Sequence, residues 1–422
     1  MNLVIELVYT IIVALIRAYK LIELGIIKLI SGPLRKEIIR RFEKLAIVFH
    51  VSTNLNSEIP AEREARILEK SKYSSILHVK INTSSICSRV PNEGLLAVAE
   101  EYINWGWEFM GTDDQMVQLF CRVLDSKMYQ QYYHPINRFL NYLEFQAFNL
   151  QTPQRAFQVA EKHYDMGNAI FESFLDPAMQ YSCGYWSKAD NLNDSQLHKL
   201  ELIAKKLDLK PGMRVLDMGC GWGTLCKYLA QNHGVECVGI TISKEGANYA
   251  QKVCKGLKTQ FRVQDYRDVD EKFDRIVSIE CIEHLGPHNY RTFFEDDGIF
   301  LIQIFGVNHM GFPLVDSLMH KYIFPNISFP YYLDVAKSIE ALFIIEDWHS
   351  FGQDFAKTAN AWRHNFQDNW TSKLSEKYGE KFFRLFNLYF VMTEASCKSR
   401  KVQLWQLVLS KDGLRREYRA AR

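Results

Sequence analysis

Three glycines at alternate positions follow directly after an apolar run, in the segment Val215-Leu-Asp-Met-Gly-Cys-Gly-Trp-Gly223. The run from Arg214 to Met218 predicts a buried strand, and Thr224 to His233 predicts a helix. Glycines between a strand and a helix let the backbone turn tightly and approach a ligand that a Cβ atom would exclude. The pattern therefore indicates a nucleotide-type site, with a purely structural tight turn as the alternative.

The residues around this turn exclude two common phosphate-binding sites. No Lys-Ser/Thr pair follows the glycines, which excludes a P-loop. The next predicted strand ends at Thr241 without the acidic residue that holds the ribose in dinucleotide-binding folds. Asp217 would repel a pyrophosphate but suits a cationic ligand. Asp217, Gly219 and Gly221 therefore predict a site for S-adenosylmethionine, which carries a sulfonium and an ammonium but no phosphate.

Length and composition limit the architecture and the compartment. A chain of 422 residues predicts two or three domains. A net charge of +2 argues against nucleic acid as a partner. The nine cysteines are scattered without a C-x-x-C pair, which indicates reduced thiols in a cytoplasmic protein rather than disulfides or a metal site.

Beyond residue 200 the chain alternates between strand and helix patterns, which predicts a doubly wound α/β sheet of seven strands. A smaller α+β domain is predicted over 46–150, with β-like pieces at Ala46–Val51 and Ile76–Ile81 and a helix near Leu95–Tyr102. The densely aromatic stretch from Tyr102 to Phe109 is interpreted as core. The candidate strands of the large sheet are 213–217, 235–241, 260–264, 274–279, 298–305, 342–347 and 402–410.

Residues 1–31 predict an amphipathic helix, because polar side chains fall on one arc and Leu and Ile on the opposite face. The uncharged run Leu7 to Ile16 is shorter than the roughly 20 residues that a transmembrane helix needs. Such a helix can lie in a membrane interface; docking on the protein's own core or on a partner is the alternative. A basic cluster suited to anionic head groups follows at Arg35, Lys36, Arg40, Arg41 and Lys44. Residues 1–45 are thus predicted to associate with a membrane peripherally.

Ten ordered blocks between about residues 85 and 422 carry a family resemblance. They are 161–168, 175–186, 209–223, 241–243, 264–268, 273–278, 282–286, 321–325, 346–349 and 403–406. On these blocks the chain resembles the cyclopropane-fatty-acyl-phospholipid synthases and their mycolic acid relatives. The resemblance implies a methyltransferase domain over 151–422 that acts on unsaturated phospholipid acyl chains. The predicted partner is a phospholipid membrane, and a homodimer is one option for assembly.

The resemblance also implies the chemistry and the site. A methyl group adds to the cis double bond, a proton leaves, and a cyclopropane ring closes, with bound bicarbonate as the base. Cys183 and Glu283 match the bicarbonate site of the family. The residues matched to the cofactor site are Tyr181, Ser182, Gly219, Gly221, Thr241, Asp265 and Tyr266.

Several positions depart from the family pattern. Gln303 stands where the family has a histidine at the bicarbonate site, and its amide is still able to donate a hydrogen bond. Arg363 replaces a tyrosine there and is expected to hold an anion well. Gly246 stands where a glutamine reaches the ribose, Thr393 replaces a cysteine, and Glu280 replaces a small residue. The connection 280–297 is about seven residues shorter than in the family and leaves only a short helix at His288–Glu295.

Two alternatives remain from the sequence. One is a methyltransferase with a different product, such as a branched methyl or an N-methyl group. The other is a catalytically impaired homologue that binds lipid or cofactor without turnover.

Overall fold

The computed structural model describes residues 36–51, 60–127, 167–284, 298–308 and 318–422, apart from positions 38, 325–326, 328, 412 and 415–416. The chain divides into two compact units, Met1–Arg138 and Phe139–Arg422. The predicted helix over 1–31, Arg35 and the short helix His288–Glu295 lie outside the described residues. The predicted domain boundary at 150 lies outside them too, and it stays a prediction.

In its described part, the first unit contains a three-stranded sheet and several helices. Strands β1 (Ile47–Val51) and β2 (Leu77–Ile81) pair in parallel, and β3 (Trp107–Met110) pairs antiparallel with β2. This is the predicted α+β domain, and both predicted β-like pieces are strands. The helices are α1 (Ala61–Glu69), α2 (Ser85–Glu93), α3 (Leu95–Ile103) and α4 (Asp113–Asp125).

The aromatic stretch of this unit is only partly core. Trp107 begins β3 and is 2% exposed, whereas Trp105, in the turn before it, is 38% exposed. The sequence analysis did not find β3, because the strand is only four residues long and follows a helix without a clear alternation of polar and apolar residues.

The second unit contains the predicted seven-stranded sheet. Its strands are β4 (Arg214–Met218), β5 (Glu236–Thr241), β6 (Thr259–Val263), β7 (Arg275–Ile279), β8 (Ile299–Val307), β9 (Ile344–Ser350) and β10 (Val402–Ser410). The order across the sheet is β6-β5-β4-β7-β8-β10-β9, and only β10 runs antiparallel to its neighbours. Every predicted strand is confirmed to within three residues at each end.

Helices and short turns connect these strands. They are α5 (Asn168–Phe174), α6 (Leu192–Leu207), α7 (Thr224–His233), α8 (Lys244–Val253), α9 (Tyr332–Ile339), α10 (Gly352–Asn369) and α11 (Glu380–Lys398). Short 3₁₀ turns lie at Tyr266–Asp268 and Ile282–His284, and π turns at Met319–Ile323 and Trp370–Leu374.

The sheet of the second unit is buried on both faces, as expected for parallel strands. Side chains alternate between the faces with the period of a strand. On β4, Val215 packs into one core and Leu216 and Met218 into the other. On β8, Leu301 and Ile302 divide in the same way. Strand order reverses between β4 and β7, and ligands of open α/β sheets bind at the carboxyl ends beside such a switch point.

The cysteines agree with the predicted reduced state. All eight whose side chains are described are free thiols, and six of them are buried. Burial raises the pKa of the Cys220 thiol well above the ordinary value, and a hydrogen bond with Cys237, together with burial, does the same for Cys226. These side chains therefore act as small apolar groups of the core.

Part of the basic cluster lies in the described segment that precedes β1. Arg40 and Arg41 both pair with the carboxylate of Glu37, at 2.9 and 2.7 Å. Glu37, which was not part of the predicted cluster, therefore partly neutralises the positive charge of Arg40 and Arg41. Within the described residues, no helix is both long and apolar enough to cross a membrane.

Candidate active site

The glycine turn after β4 is built as predicted, but its three glycines serve different purposes. All three have positive φ, at 84°, 52° and 82°. A Cβ atom on Gly221 would meet open space, whereas one on Gly223 would lie 2.6 Å from the Cβ of Ala250 and one on Gly219 would lie 3.0 Å from the Cβ of Cys281. Gly221 therefore leaves room for a ligand, and Gly219 and Gly223 are needed for packing.

A cavity opens beside this turn at the carboxyl ends of β4 and β5, and we call it the cofactor cavity. The structure brings all nine predicted cofactor residues to its wall. They are Tyr181, Ser182, Asp217, Gly219, Gly221, Thr241, Gly246, Asp265 and Tyr266. Their contacts with a cofactor remain a prediction.

The charged groups of the cofactor cavity are strongly desolvated. Asp217 is 2% exposed, and burial raises its pKa to about 7. Lys199 on α6 is also buried at the wall of the cavity, where its ammonium donates to the hydroxyl of Ser182. Burial lowers the pKa of Lys199. The sequence analysis missed Lys199, because a lysine within an otherwise ordinary helix carries no motif.

The far side of the cavity carries an acid that already has a partner. The carboxylate of Asp265 accepts hydrogen bonds from Nε and Nη2 of Arg267 at 2.8 and 2.7 Å. The side chain of Asp265 is thereby held in one orientation. Burial raises the pKa of the neighbouring Tyr266, so its hydroxyl stays protonated.

Gly246 does more than omit a side chain. It lies in the first turn of α8, and its N–H donates to the N-cap hydroxyl of Ser243 at 3.0 Å. A Cβ atom at this position would lie 2.7 Å from the carbonyl oxygen of Gly221. The helix is thus packed against the glycine turn too closely for the glutamine of the family.

A second, largely apolar cavity adjoins the first, and we call it the aromatic cavity. Its lining consists of Tyr181, Glu280, Glu283, Phe305, Met319, Phe324, Ile327, Phe329, Phe355, Trp362, Tyr389 and Thr393. Tyr181 and Glu280 line both cavities. The two cavities therefore meet at these residues.

Aromatic packing holds Tyr181 in place at this junction. Its hydroxyl lies 2.9 Å from the hydroxyl of Tyr389 on α11. Its ring packs edge-on against Phe171 and Phe174 of α5 and tilted against Trp362 of α10. Elements far apart in the sequence thus form the wall between the cavities.

The four predicted catalytic residues are less uniform in their placement. Cys183 is buried, with Sγ 3.1 Å from the carbonyl oxygen of Gly184 and 3.8 Å from Oγ1 of Thr358. Burial raises its pKa well above the ordinary value, and it lies outside the described linings of both cavities. The Cys183 side chain is therefore a poor candidate for a thiolate, and its main chain is the part close to the site.

Glu283 does line the aromatic cavity. It is 3% exposed, and its Oε1 accepts a hydrogen bond from the N–H of Phe305. Burial and the nearby Glu280 raise its pKa well above the ordinary value. Burial of this kind favours the neutral form of the Glu283 carboxyl.

Gln303 and Arg363 are both engaged by other side chains. The Gln303 amide donates from Nε2 to Oε1 of Glu280 at 2.6 Å and accepts from Nε2 of Gln406 at 2.8 Å. Arg363 forms a buried ion pair with Glu394, at 3.3 Å, in which the two side chains are 2% and 0% exposed. The expectation that Arg363 holds an anion stays a prediction, and in this structure its guanidinium pairs with the carboxylate of Glu394.

Glu280 is the functional candidate that the sequence analysis missed. It directly follows β7, at φ 50°, a conformation that a residue other than glycine rarely adopts. Its Oε1 accepts from the N–H of Cys183 at 3.0 Å and from the Gln303 amide. Strained backbone of this kind concentrates at active sites. The sequence did contain a sign of this role, since Glu280 is a charged residue at the carboxyl end of a strand where the family has a small one.

Comparisons with known proteins agree with this architecture. The profile of the mycolic acid cyclopropane synthetase family matches residues 151–407. The cyclopropane-fatty-acyl-phospholipid synthase of Escherichia coli K12 is 41% identical over 351 residues, covering 82% of this chain and 90% of that protein. Sphingolipid C9-methyltransferase A of Emericella nidulans is 32% identical, covering 59% of this chain and 53% of that protein.

Solved structures show the same fold. The mycolic acid cyclopropane synthase CmaA1, complexed with SAH and CTAB, superimposes with a TM-score of 0.57 at 28% identity, covering 60% of this chain and 98% of that one. The cyclopropane synthase MmaA2 from Mycobacterium tuberculosis gives a TM-score of 0.58 at 25% identity, covering 63% and 100%. With the family profile spanning more than half of its length, this chain belongs to the mycolic acid cyclopropane synthetase family of S-adenosylmethionine-dependent methyltransferases.

Proposed function

We propose that this protein transfers the methyl group of S-adenosylmethionine to the cis double bond of an unsaturated phospholipid acyl chain and closes a cyclopropane ring. The observation that carries this proposal is the meeting of two unlike cavities at Tyr181 and Glu280. One contains the glycine turn and the charged side chains of Asp217 and Lys199, and suits a charged cofactor. The other is lined by aromatic and aliphatic side chains and suits an acyl chain.

The cofactor cavity has the donor set for this cofactor. Asp217 at the end of β4 offers a buried carboxylate to a cation, and Gly221 leaves space beside the main chain. Thr241 and Asp265 follow the neighbouring strands at the same edge of the sheet. Bound S-adenosylmethionine supplies an electrophilic methyl group on its sulfonium.

The aromatic cavity would exclude water from the reaction and hold the acyl chain in position. Phe305, Phe355 and Trp362 pack against one another with ring centroids 4.6 and 5.7 Å apart along the series. An apolar wall excludes water, so that a carbocation on the acyl chain survives until a proton leaves. An aromatic ring also favours a cation that lies over its face.

Bicarbonate, which the resemblance implies as the base, fits these residues poorly. The Gln303 amide and the Cys183 N–H donate to Glu280, and Arg363 pairs with Glu394. The groups that would hold the ion thus have other partners.

We also infer that the substrate is reached at a membrane surface. The amphipathic pattern of residues 1–31 and the basic residues after it support peripheral association through 1–45. Co-sedimentation of the full chain with anionic and with zwitterionic vesicles tests this, since a basic segment should favour the anionic ones. The predicted homodimer is checked by light scattering of the purified protein.

The test of the proposed function uses methyl-labelled S-adenosylmethionine and vesicles of cis-unsaturated phospholipid, with saturated phospholipid of the same head group as the matched control. We expect label in the lipid extract only with the unsaturated chain. Label with both lipids would indicate head-group methylation. No label, with cofactor binding intact, would indicate the catalytically impaired homologue.

A further inference from the structure

The carboxylate of Glu280 lies where the two cavities meet. It faces the cofactor cavity on one side and the aromatic cavity on the other. A single oxygen, Oε1, accepts both the Cys183 N–H and the Gln303 amide. Cys183 and Gln303 stand at positions that the family resemblance assigns to bicarbonate. The Glu280 carboxylate therefore occupies the hydrogen-bonding place of that anion.

We propose that Glu280 is the general base of ring closure, a carboxylate built into the chain that makes a bound bicarbonate unnecessary. This rests on the proposed function. It names the group that takes the proton, which the comparisons with relatives do not supply.

The step balances without any further reactant. The π electrons of the alkene form a bond to the methyl carbon, while the S–CH₃ bond breaks with its electron pair going to sulfur. Glu280 then takes a proton from the added methyl group. The electron pair of that C–H bond closes the ring onto the cationic carbon. Glu280 ends as a neutral acid and releases its proton to solvent before the next turnover.

Two carboxyl groups line the aromatic cavity, and their surroundings distinguish them. Burial raises the pKa of both, but the two donated hydrogen bonds and the nearby Lys199 ammonium oppose the rise at Glu280. Among the described residues no such cation acts on Glu283, and Glu280 itself raises the pKa of Glu283 further. The hydrogen bonds from the Cys183 N–H and the Gln303 amide therefore make Glu280 the better placed of the two carboxyl groups to act as a base.

Four chains test this proposal: the wild type, Glu280→Gln, Glu280→Gly and a control variant. Glutamine keeps the size and the accepting oxygen but removes the basic carboxylate, so kcat/KM should fall by roughly 10²-fold or more. Glycine suits the positive φ of this position, so the variant should fold. It also frees the Cys183 N–H and the Gln303 amide. Glu340→Gln, an exposed glutamate beyond α9, is the matched control.

The decisive measurements are turnover and melting temperature in bicarbonate-depleted buffer and after bicarbonate is added. We expect that added bicarbonate changes neither the turnover nor the melting temperature of the wild type. Glu280→Gly should be slow without bicarbonate, and added bicarbonate should raise both its rate and its melting temperature. Binding of S-adenosylhomocysteine, measured by calorimetry, should be unchanged in Glu340→Gln and retained in both Glu280 variants.

A wild type whose rate or melting temperature rises with bicarbonate would overturn the proposal, as would full activity of Glu280→Gln. A wild type without any methyl transfer would instead refute the proposed function. In that case the melting temperatures still decide whether Glu280 excludes bicarbonate. The two failures are therefore distinguishable.

Discussion

The cofactor cavity and the aromatic cavity share a wall but are built by different means. The cofactor cavity is formed largely by short contiguous segments that follow β4, β5, β6 and β7, together with residues 179–182 and part of α6. The aromatic cavity is formed by single side chains from distant elements, such as Tyr181, Phe305 and Tyr389. The shape of the cofactor cavity depends on backbone geometry, whereas that of the aromatic cavity depends on contacts between particular side chains. Substitutions should therefore affect the two in different ways.

The largest effect is expected from breaking the ion pair behind the aromatic cavity. Glu394→Ala would leave the Arg363 guanidinium buried without its carboxylate. Loss of one partner from a buried pair costs about 3–5 kcal/mol of unfolding free energy. Urea denaturation measures the loss. Glu417→Ala, which removes an exposed partner of Arg419, should change stability by less than about 0.5 kcal/mol. Equal stability of the two variants would refute the assignment of Arg363 to Glu394.

The second largest effect is expected when Gly246 is replaced by the glutamine that the family has at this position. Gly246→Gln should weaken cofactor binding instead of improving it, because its Cβ atom would meet the Gly221 carbonyl at 2.7 Å. Overpacking of this kind costs about 1–3 kcal/mol. Calorimetry with S-adenosylhomocysteine measures the change. Tighter binding by this variant would show that α8 is free to move away from the glycine turn.

Backbone strain at Gly221 should come third. Alanine at its positive φ costs about 1–2 kcal/mol, which is on the order of tenfold in affinity if the strain falls on the binding conformation. Gly212→Ala is the matched control, since Gly212 also has positive φ and open space around it but lies outside the described cavity lining. The control should lose stability and keep its affinity. A similar loss of affinity in both variants would show that the place of Gly221 beside the cofactor cavity does not matter for binding.

The smallest effect is the pH dependence that Asp217 confers on cofactor binding. Burial raises its pKa from 3.8 to about 7, so this residue stabilises the fold at acid pH. That contribution is lost as the pH rises through about 7. A cation prefers the carboxylate form, and the affinity for S-adenosylmethionine should therefore rise with pH and level off above this value.

Calorimetry one unit below and one unit above that pH measures the change, which we expect to be tenfold at most. Asp217→Asn should bind more weakly and lose the pH dependence. A flat profile in the wild type would show that Asp217 does not contact the cationic part of the cofactor.

The difference between the two cavities also explains which features could be predicted from the sequence. Strand β4, helix α7 and all seven strands of the large sheet follow from apolar runs and glycine punctuation, which are local signals. Seven of the nine predicted residues of the cofactor cavity follow from motifs next to those strands, and Tyr181 and Ser182 follow from the block 175–186. Lys199, the role of Glu280 and the ion pair of Arg363 were not predicted, because they depend on partners many residues away. Glu394 lies 31 positions from Arg363, and no local pattern connects them.

The most direct test of the account is the structure of the lipid product. Phospholipid from a reaction with S-adenosylmethionine is converted to fatty acid methyl esters, which are analysed by mass spectrometry before and after catalytic hydrogenation. The account predicts an acyl chain that has gained one CH₂ unit and that resists hydrogenation under mild conditions, as a cyclopropane does. An unchanged acyl chain, or one whose added carbon is an open branch, would contradict it.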